Sequence, residues 1–399
     1  MPHGLAPLHD IAVAPRVWVL AGNKAGDNSQ VLALAEALGW PFEVKQFVHK
    51  RYEFVPNMAL RSTLVGIDRE QSSPMEAPWP DLVISAGRRN EPIARWIKNQ
   101  APDTVRLVHV GRPWSRLHHF DLIVTTPQYR LPVRDNVLHN KTPLHRVTAE
   151  RLAREASRWR DRLAHLPGPL TAVIIGGSSG PYSFDTAAAA RLARDASAFA
   201  AARGGSLLIT TSARTPRATI DVLEENLSVP AYLFRWSKQA TDNPYFAFLG
   251  IADEIIVTGD SMSMLAEACA TRKPVQIFDL GEGESAMRPS TADAAIAARR
   301  AEHGRRSLEW ANIGAFLYRQ MMRFGPERLS RDIRIIHTYL VDGGRAVWLG
   351  DRFEGKSPQA ELDCLGRAVA RARALAYQGR TRRADPDATP AFMTMSTTS

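Results

Sequence analysis

The stretch EIIVTGDSMSMLAEA, residues 254–268, joins a strand-sized apolar run to a helical pattern through one tight turn. Residues 254–258 are predicted to form a β-strand, Gly259 permits the turn, and Ser261 is placed to cap a helix over residues 261–271. A buried strand that passes directly into a helix is typical of a parallel sheet built from βαβ units. This stretch therefore favours the α/β class.

The same alternation occurs in both halves of the chain. Further strands are predicted at residues 16–21, 82–85, 106–110, 122–125, 171–175, 206–211 and 274–280. A helical pattern over 148–163, followed by the sequence PGP at 167–169, separates two such series. We predict two Rossmann-like doubly wound domains facing across a cleft, with ligands beyond the carboxyl ends of the strands.

The domain bounds follow from these breaks. We predict an N-terminal domain at 1–147, a linker helix at 148–166 and a C-terminal domain at 167–357. A helix at 358–378 is expected to pack back toward the N-terminal domain. The remaining residues, 379–399, are expected to form a disordered tail.

Composition narrows the class of protein. The chain has 399 residues, 45% of them hydrophobic, and two cysteines, which argues against a disulfide framework. Its apolar runs are far shorter than the roughly 20 residues that span a bilayer, and its start lacks the pattern of a secretory signal. We expect a cytoplasmic protein. The net charge of +10 leaves open a peripheral association with the anionic inner membrane.

The sequence also lacks the patterns of a metal site and of a nucleic-acid-binding domain. The 11 histidines show no metal-ligand spacing, so we expect no metal and no cofactor. No recognised nucleic-acid-binding module is present, and no nucleic-acid partner is expected.

The turn that follows residue 258 is predicted to bind a phosphate group. Backbone N–H groups between Gly259 and Met262 would face the anion at the positive end of the helix. Ser263 and Glu267 lie one turn apart on the same helix face, so the carboxylate is placed to accept hydrogen bonds from ribose hydroxyls. The alternative is an ordinary capped helix with Glu267 facing solvent.

Two more loops in the second half are candidates for the same ligand. The sequence GGSSG at 176–180 supplies Gly177, Ser178 and Ser179, and Ser212 and Arg214 follow the next strand. The loop lacks the first glycine of a dinucleotide fingerprint, and no acidic residue ends the following strand, which argues against a nicotinamide enzyme. The alternative is a structural turn.

The first half of the chain contains a candidate general base and two candidate anion-binding arginines. In the loop GNKAGDNSQ, residues 22–30, Asp27 is a candidate general base, with Lys24 beside it. Arg88 and Arg112 follow two later strands and are candidates to bind an anionic acceptor or the leaving diphosphate. The alternative for Asp27 is a helix cap.

Several segments together resemble one family. They are residues 20–30, 81–89, 108–114, 120–131, 173–184, 207–216 and, as the most specific, 243–280. They are similar to the bacterial relatives of the plant mitochondrial-fission protein named for elongated mitochondria, a family of proposed glycosyltransferases. The resemblance implies the two-domain GT-B fold, a nucleotide in the C-terminal domain with Glu267 on its ribose, and an acidic residue, here Asp27, in the loop after the first strand.

The function that we predict is a metal-independent inverting glycosyltransferase. It would use a nucleotide-diphosphate sugar, and its acceptor would be a cell-envelope glycan or lipid bound by the N-terminal domain. Two alternatives remain open: a non-catalytic adaptor, as the plant members suggest, and a non-hydrolysing nucleotide-sugar epimerase.

Overall fold

A computed structural model describes residues 14–50, 61–180, 182–281, 286–288, 331–353 and 363–384. The strands are β1 (Val17–Ala21), β2 (Phe42–Gln46), β3 (Val48–His49), β4 (Ile67–Asp68), β5 (Leu82–Ala86), β6 (Arg106–Val110), β7 (Leu122–Thr125), β8 (Val137–His139), β9 (Leu170–Ile174), β10 (Ser206–Thr210), β11 (Ala231–Phe234), β12 (Glu254–Thr258), β13 (Val275–Phe278) and β14 (Val347–Trp348). The α-helices are α1 (Ala25–Leu38), α2 (Asn90–Gln100), α3 (Ala149–Leu163), α4 (Thr186–Ala201), α5 (Arg217–Glu225), α6 (Tyr245–Ile251), α7 (Met262–Ala270), α8 (Arg334–Asp342) and α9 (Cys364–Ala384).

The described residues form two compact units. The N-terminal unit takes its residues from Met1–Val124, Arg134–Leu138 and Leu365–Ser399, and the C-terminal unit takes its residues from Thr125–Val133 and His139–Cys364. The unit boundary thus lies near residue 139 rather than 147. Helix α3, predicted as a linker, is part of the C-terminal unit.

The N-terminal unit is built on a six-stranded sheet in the order β2-β1-β5-β6-β7-β8. The pairings of β1 with β2 and β5, of β5 with β6, and of β6 with β7 are parallel. Every residue of β5 and β6 is buried, as expected for strands covered on both faces. The strand order reverses between β1 and β5, so the carboxyl ends of these two strands flank a topological switch point.

The C-terminal unit holds a second six-stranded sheet in the order β11-β10-β9-β12-β13-β14, with all five pairings parallel. Counted from β9, this is the order 3-2-1-4-5-6 found in dinucleotide-binding folds, with its switch point between β9 and β12. Together the two sheets confirm the predicted α/β class with two Rossmann-like sheets.

Helix α3 packs against α6 within the C-terminal unit. Trp159 of α3 is buried and meets Phe248 of α6 edge to face, with ring centroids 6.2 Å apart. Gly250 allows the two backbones to approach, because a Cβ there would lie 2.7 Å from the carbonyl oxygen of Leu152 and 3.2 Å from the Cβ of Ala156. This contact fixes α3 against α6 in the hydrophobic core of the C-terminal unit.

We expect Gly250→Ala to lower the free energy of unfolding by about 1–3 kcal/mol, because the methyl group overpacks the contact between α3 and α6. The gain in helix propensity from alanine, about 1 kcal/mol, is too small to reverse the sign. Gly66→Ala is the matched control, since no atom lies within 4 Å of its added Cβ. Chemical denaturation of both variants checks this result, and equal stability of the two would contradict it.

Helix α9 differs from its predicted bounds. It is described from Cys364 to Ala384, so it extends six residues into the stretch predicted as a tail. In the N-terminal unit, Arg373 of α9 donates to the carbonyl oxygen of Leu38 at 2.8 Å, and Tyr377 packs edge to face on Trp40. Residues 358–362 and 385–399 lie outside the described residues.

Within the residues that the structure describes, no helix combines the length and the apolar character needed to cross a bilayer.

Candidate functional site

The switch point of the C-terminal unit is built around a buried carboxylate. Asp260 follows β12, and its Oδ1 accepts a hydrogen bond of 2.7 Å from the hydroxyl of Thr258. The same hydroxyl accepts from the backbone N–H of Gly176 at 2.8 Å. A Cβ at Gly176 would overlap the Asp260 carboxylate, so only glycine leaves room for it. The loops after β9 and β12 therefore close on each other at this point.

Arg214 neutralises this carboxylate. Its Nη2 lies 2.7 Å from Oδ2 of Asp260, and its Nη1 donates to the carbonyl oxygen of Ser178 at 3.1 Å. Gly177 bridges to Arg214 through its backbone with φ +129°, a conformation that favours glycine. The side chain of Arg214 is still 41% exposed. The three loops after β9, β10 and β12 thus fix one guanidinium whose outer face meets solvent.

The pKa of Asp260 shows the cost of this arrangement. Burial raises the pKa, while the charge of Arg214 and the hydrogen bond from Thr258 lower it, and burial is the larger effect. Because burial disfavours the charged carboxylate and a neighbouring positive charge favours it, Asp260 holds the guanidinium of Arg214 in place.

The serines predicted to contact a phosphate stabilise these loops. The Ser178 hydroxyl accepts from the backbone N–H of Phe184 at 3.0 Å, and the Ser212 hydroxyl donates to the carbonyl oxygen of Gly176. Ser179 exchanges backbone hydrogen bonds with Tyr182. Ligand contacts from Gly177 and these serines stay a prediction.

The start of α7 agrees only in part with the sequence prediction. Ser261 occupies the predicted N-cap position, but its side chain does not make the predicted capping hydrogen bond. Met262 is buried, whereas Ser261 and Ser263 are half-buried. The carbonyl oxygen of Gly259 accepts from Nε2 of His337 at 2.7 Å, which ties the turn to α8.

Glu267 lies in the second turn of α7 and is only 4% exposed. Its Oε2 accepts a hydrogen bond of 2.6 Å from the hydroxyl of Tyr245 in α6. Burial, followed by the charge of Glu267, raises the pKa of Tyr245 well above its usual value, so the phenol keeps its proton and continues to donate. The alternative of a solvent-facing Glu267 is wrong, because the carboxylate is oriented by a neighbouring helix.

His337 makes stability depend on pH. Burial lowers its pKa from 6.5 to about 4, partly opposed by the hydrogen bond to Gly259, so the ring is neutral in the folded protein at pH 7. For a base whose pKa is lower in the folded state, the stabilisation is complete above pH 6.5 and is lost as the pH falls toward 4. The full difference corresponds to about 3 kcal/mol.

We therefore expect His337→Gln to lose less stability than the wild type between pH 7 and pH 5, by about 2 kcal/mol. The glutamine amide still donates to the carbonyl oxygen of Gly259 but does not titrate. Urea denaturation at the two pH values measures this difference. His118→Gln, at an exposed position, is the control, and an unchanged pH dependence in His337→Gln would contradict the assignment.

In the N-terminal unit, the loop after β1 is shorter than the sequence predicts, because the next helix was expected to start only at Gln30. Helix α1 begins at Ala25, so Lys24 is the N-cap residue and Asp27 lies in the first helical turn. Asn28 uses its side-chain amide to donate to and accept from the backbone of Gly22, both at 2.8 Å. These two hydrogen bonds close the loop after Gly22. The negative charge of Asp27 complements the positive end of the α1 dipole.

Asp27 lies beside the turn that follows β5. Gly87 in that turn has φ +76°, and a Cβ there would lie 3.1 Å from Oδ2 of Asp27. Asn90 donates from one amide nitrogen to the carbonyl oxygens of Leu20 and Ala86, at 3.0 and 3.1 Å. The ends of β1 and β5 are thereby joined next to Asp27, at the switch point of this sheet.

A second buried carboxylate holds the loop after β6. Glu91 is fully buried and accepts from the backbone N–H groups of Trp114 and Ser115 at 2.7 and 2.9 Å, and from the Ser115 hydroxyl at 2.7 Å. The guanidinium carbons of Arg88 and Arg112 lie 5.7 and 4.7 Å from the centroid of the Trp114 ring. The two predicted anion-binding arginines therefore meet on one aromatic side chain.

Comparison with known proteins decides the family. The family model described as Mitochondrial fission ELM1 matches residues 25–303, more than half of the 399 residues. This chain belongs to the mitochondrial fission ELM1 family. The mitochondrial fission protein ELM1 of Arabidopsis thaliana is 30% identical over 240 residues, which cover 55% of this chain and 56% of the plant protein. The chain thus spans little more than half the length of that relative. A protein of Rickettsia prowazekii (strain Madrid E) that is described as uncharacterized is 25% identical over 296 residues, 66% of this chain and 82% of its own length.

Similar solved structures are far more distant in sequence. MurG of Acinetobacter baumannii is 13% identical, with a TM-score of 0.36 over 90% of this chain and 99% of that chain. A UDP-GlcNAc 2-epimerase of Neisseria meningitidis bound to UDP-GlcNAc is 12% identical, with a TM-score of 0.39 over 82% and 98% of the two chains. A glycosyltransferase of Rickettsia africae is 12% identical, with a TM-score of 0.37 over 82% and 97%.

Several important side chains of this ELM1-family chain were not found from the sequence. Asp260, Glu91 and Tyr245 act through hydrogen bonds to residues far along the chain, which no local pattern reveals. His109 is fully buried, with Nδ1 3.1 Å from the Ser85 hydroxyl, and burial lowers its pKa against the charges of Glu91 and Asp27. Within the described part of the chain, no group of three or more His, Cys, Asp or Glu residues is arranged to hold a metal ion.

Proposed function

We propose that this chain is a glycosyltransferase that binds a nucleotide-diphosphate sugar in its C-terminal unit. The observation that carries the proposal is Arg214, whose guanidinium is fixed by the buried Asp260 at the switch point of a sheet with the order 3-2-1-4-5-6. A fixed guanidinium with an exposed face suits a diphosphate, which it contacts through paired N–H groups. The start of α7, from Gly259 to Met262, adds backbone N–H groups.

The nucleoside contact that we propose is Glu267. A carboxylate accepts hydrogen bonds from both hydroxyls of a ribose, and the hydrogen bond from Tyr245 fixes its orientation. Ser263, one turn earlier on α7, lies on the same helix face.

Asp27 is the base in this proposal. It takes the proton of an acceptor hydroxyl as that oxygen bonds to the anomeric carbon of the sugar. The bond from that carbon to the diphosphate oxygen breaks, and the configuration inverts. Arg214 and the start of α7 stabilise the charge on the departing diphosphate, so the chain supplies this stabilisation without a metal ion. Lys24 precedes Asp27 at the N-cap of α1.

The acceptor in this proposal is a cell-envelope glycan or lipid. In this proposal the enzyme is cytoplasmic, and the net charge of +10 supports its association with an anionic membrane surface. Arg88 and Arg112 would bind the acceptor.

Nucleotide binding tests the proposal. We expect one of the diphosphates of uridine, cytidine, guanosine or thymidine to bind by calorimetry. Glu267→Gln keeps an acceptor for Tyr245 but weakens the ribose contact, so the affinity is expected to fall about 10- to 100-fold, the value of one or two hydrogen bonds to a charged group. Glu225→Gln, at the exposed end of α5, is the control.

If none of the four diphosphates binds, the proposal is wrong, and the non-catalytic adaptor remains. Interconversion of donor-sugar epimers in the absence of an acceptor would instead identify the epimerase.

A further inference from the structure

The loop after β6 presents an aromatic side chain to solvent at a fixed position. Trp114 is 43% exposed, a larger fraction than is usual for tryptophan, which is highly buried on average. Its backbone is held by the fully buried Glu91, which accepts three hydrogen bonds from Trp114 and Ser115. This buried carboxylate holds an exposed loop in one conformation instead of stabilising the hydrophobic core, which indicates that the conformation of the loop serves a function.

The surroundings of Trp114 are cationic. Arg88 and Arg112 lie within 5.7 and 4.7 Å of its ring, and both come from loops at the carboxyl edge of the N-terminal sheet. The ring of Trp114 therefore lies beside two positive charges.

The same edge holds the candidate base. Gly87 adjoins Arg88 in the chain, and a Cβ at Gly87 would lie 3.1 Å from Oδ2 of Asp27. Asn90 joins the ends of β1 and β5 beside it. A ligand on Trp114 would thus lie on the part of the sheet that carries Asp27, within one unit.

We propose that Trp114, with Arg88 and Arg112, is the recognition surface for an acceptor that bears a phosphate group next to a sugar ring. The indole offers an apolar surface to the C–H groups of the sugar, and the two guanidinium groups bind the phosphate oxygens. Glu91 is a positioning residue, because it acts only through the backbone that carries Trp114. The inference rests on the proposed function and names its acceptor class.

Glucose 1-phosphate is the probe, with glucose as the uncharged comparison. The wild type is expected to bind glucose 1-phosphate saturably and glucose at least ~10-fold more weakly. Trp114→Ala and Arg112→Gln are each expected to weaken glucose 1-phosphate binding by ~10-fold, whereas Trp114→Phe keeps most of it. Arg154→Gln, an exposed arginine of α3, is the charge-matched control and is expected to bind as the wild type does.

Two sources of the phosphate are separated by competition. Vesicles of phosphatidylcholine with 30% phosphatidylglycerol that displace the probe identify a lipid-borne phosphate. Failure to displace it identifies a free sugar phosphate, and either result supports the inference.

Wild-type affinity for glucose 1-phosphate in Trp114→Ala would overturn the inference, as would no saturable binding by the wild type. Binding of a nucleoside diphosphate is measured on the same samples. Trp114→Ala is expected to keep it, so a failure at this surface is distinguished from a failure of the proposed function.

Discussion

Asp27→Asn is expected to lower the rate of sugar transfer by ~10²- to 10⁴-fold, the usual contribution of a general base. Asparagine has the same shape, but it lacks the charge that complements the start of α1 and does not accept the proton of the acceptor hydroxyl. Binding of the nucleoside diphosphate to the C-terminal unit is expected to stay within about 2-fold of the wild type. Initial rates of transfer and calorimetry on the same preparation check both parts.

Glu36→Gln is the control for Asp27→Asn, because it removes one negative charge from the exposed side of the same helix. It is expected to leave the rate unchanged. A transfer rate in Asp27→Asn within 3-fold of the wild type would remove Asp27 from the mechanism and leave its structural role in the first turn of α1.

The second large effect is expected at Arg214. Arg214→Ala removes the guanidinium and should weaken binding of the nucleoside diphosphate by ~100-fold, while binding of the nucleoside without phosphates changes little. It also leaves Asp260 buried without its cation, which is strongly destabilising. The variant is therefore made in wild-type and in Asp260→Asn backgrounds, so that lost affinity is separated from lost stability.

Asp260→Asn alone is expected to weaken diphosphate binding by ~10-fold, because the guanidinium of Arg214 is no longer held by a charge. In the double variant the two losses should not add, since both act through Arg214. Arg217→Ala, exposed at the start of α5, is the control. Unchanged diphosphate affinity in Arg214→Ala would show that Arg214 does not contact the diphosphate, and full additivity would show that Asp260 does not act through Arg214.

The fold was largely predictable because its signals are local. The apolar runs that become β5, β6, β9 and β12 are buried on both faces, and continuous apolar runs between helical patterns are what such strands require. The boundaries were less accurate. The predicted start of α1 was too late, because the two hydrogen bonds between the Asn28 side chain and the Gly22 backbone were not recognised. Ser261 was predicted to make a capping hydrogen bond that it does not make.

The candidate site was predictable as a set of loops and not as a set of contacts. The loops were found because the carboxyl ends of parallel strands share one edge. The sequence did not show that Ser178 and Ser212 bind their own loops, or that Glu267 is oriented by Tyr245.

The sequence by itself determined which segments become strands and helices, and that glycine-rich turns end the strands of both sheets. Only the tertiary structure decided the partners of the charged groups. Asp260 meets Arg214 across 46 residues of sequence, and Glu91 meets Ser115 across 24. A buried carboxylate must find a cation or several N–H donors, and which donors reach it depends on the order in which strands pair, a long-range property that no short pattern contains.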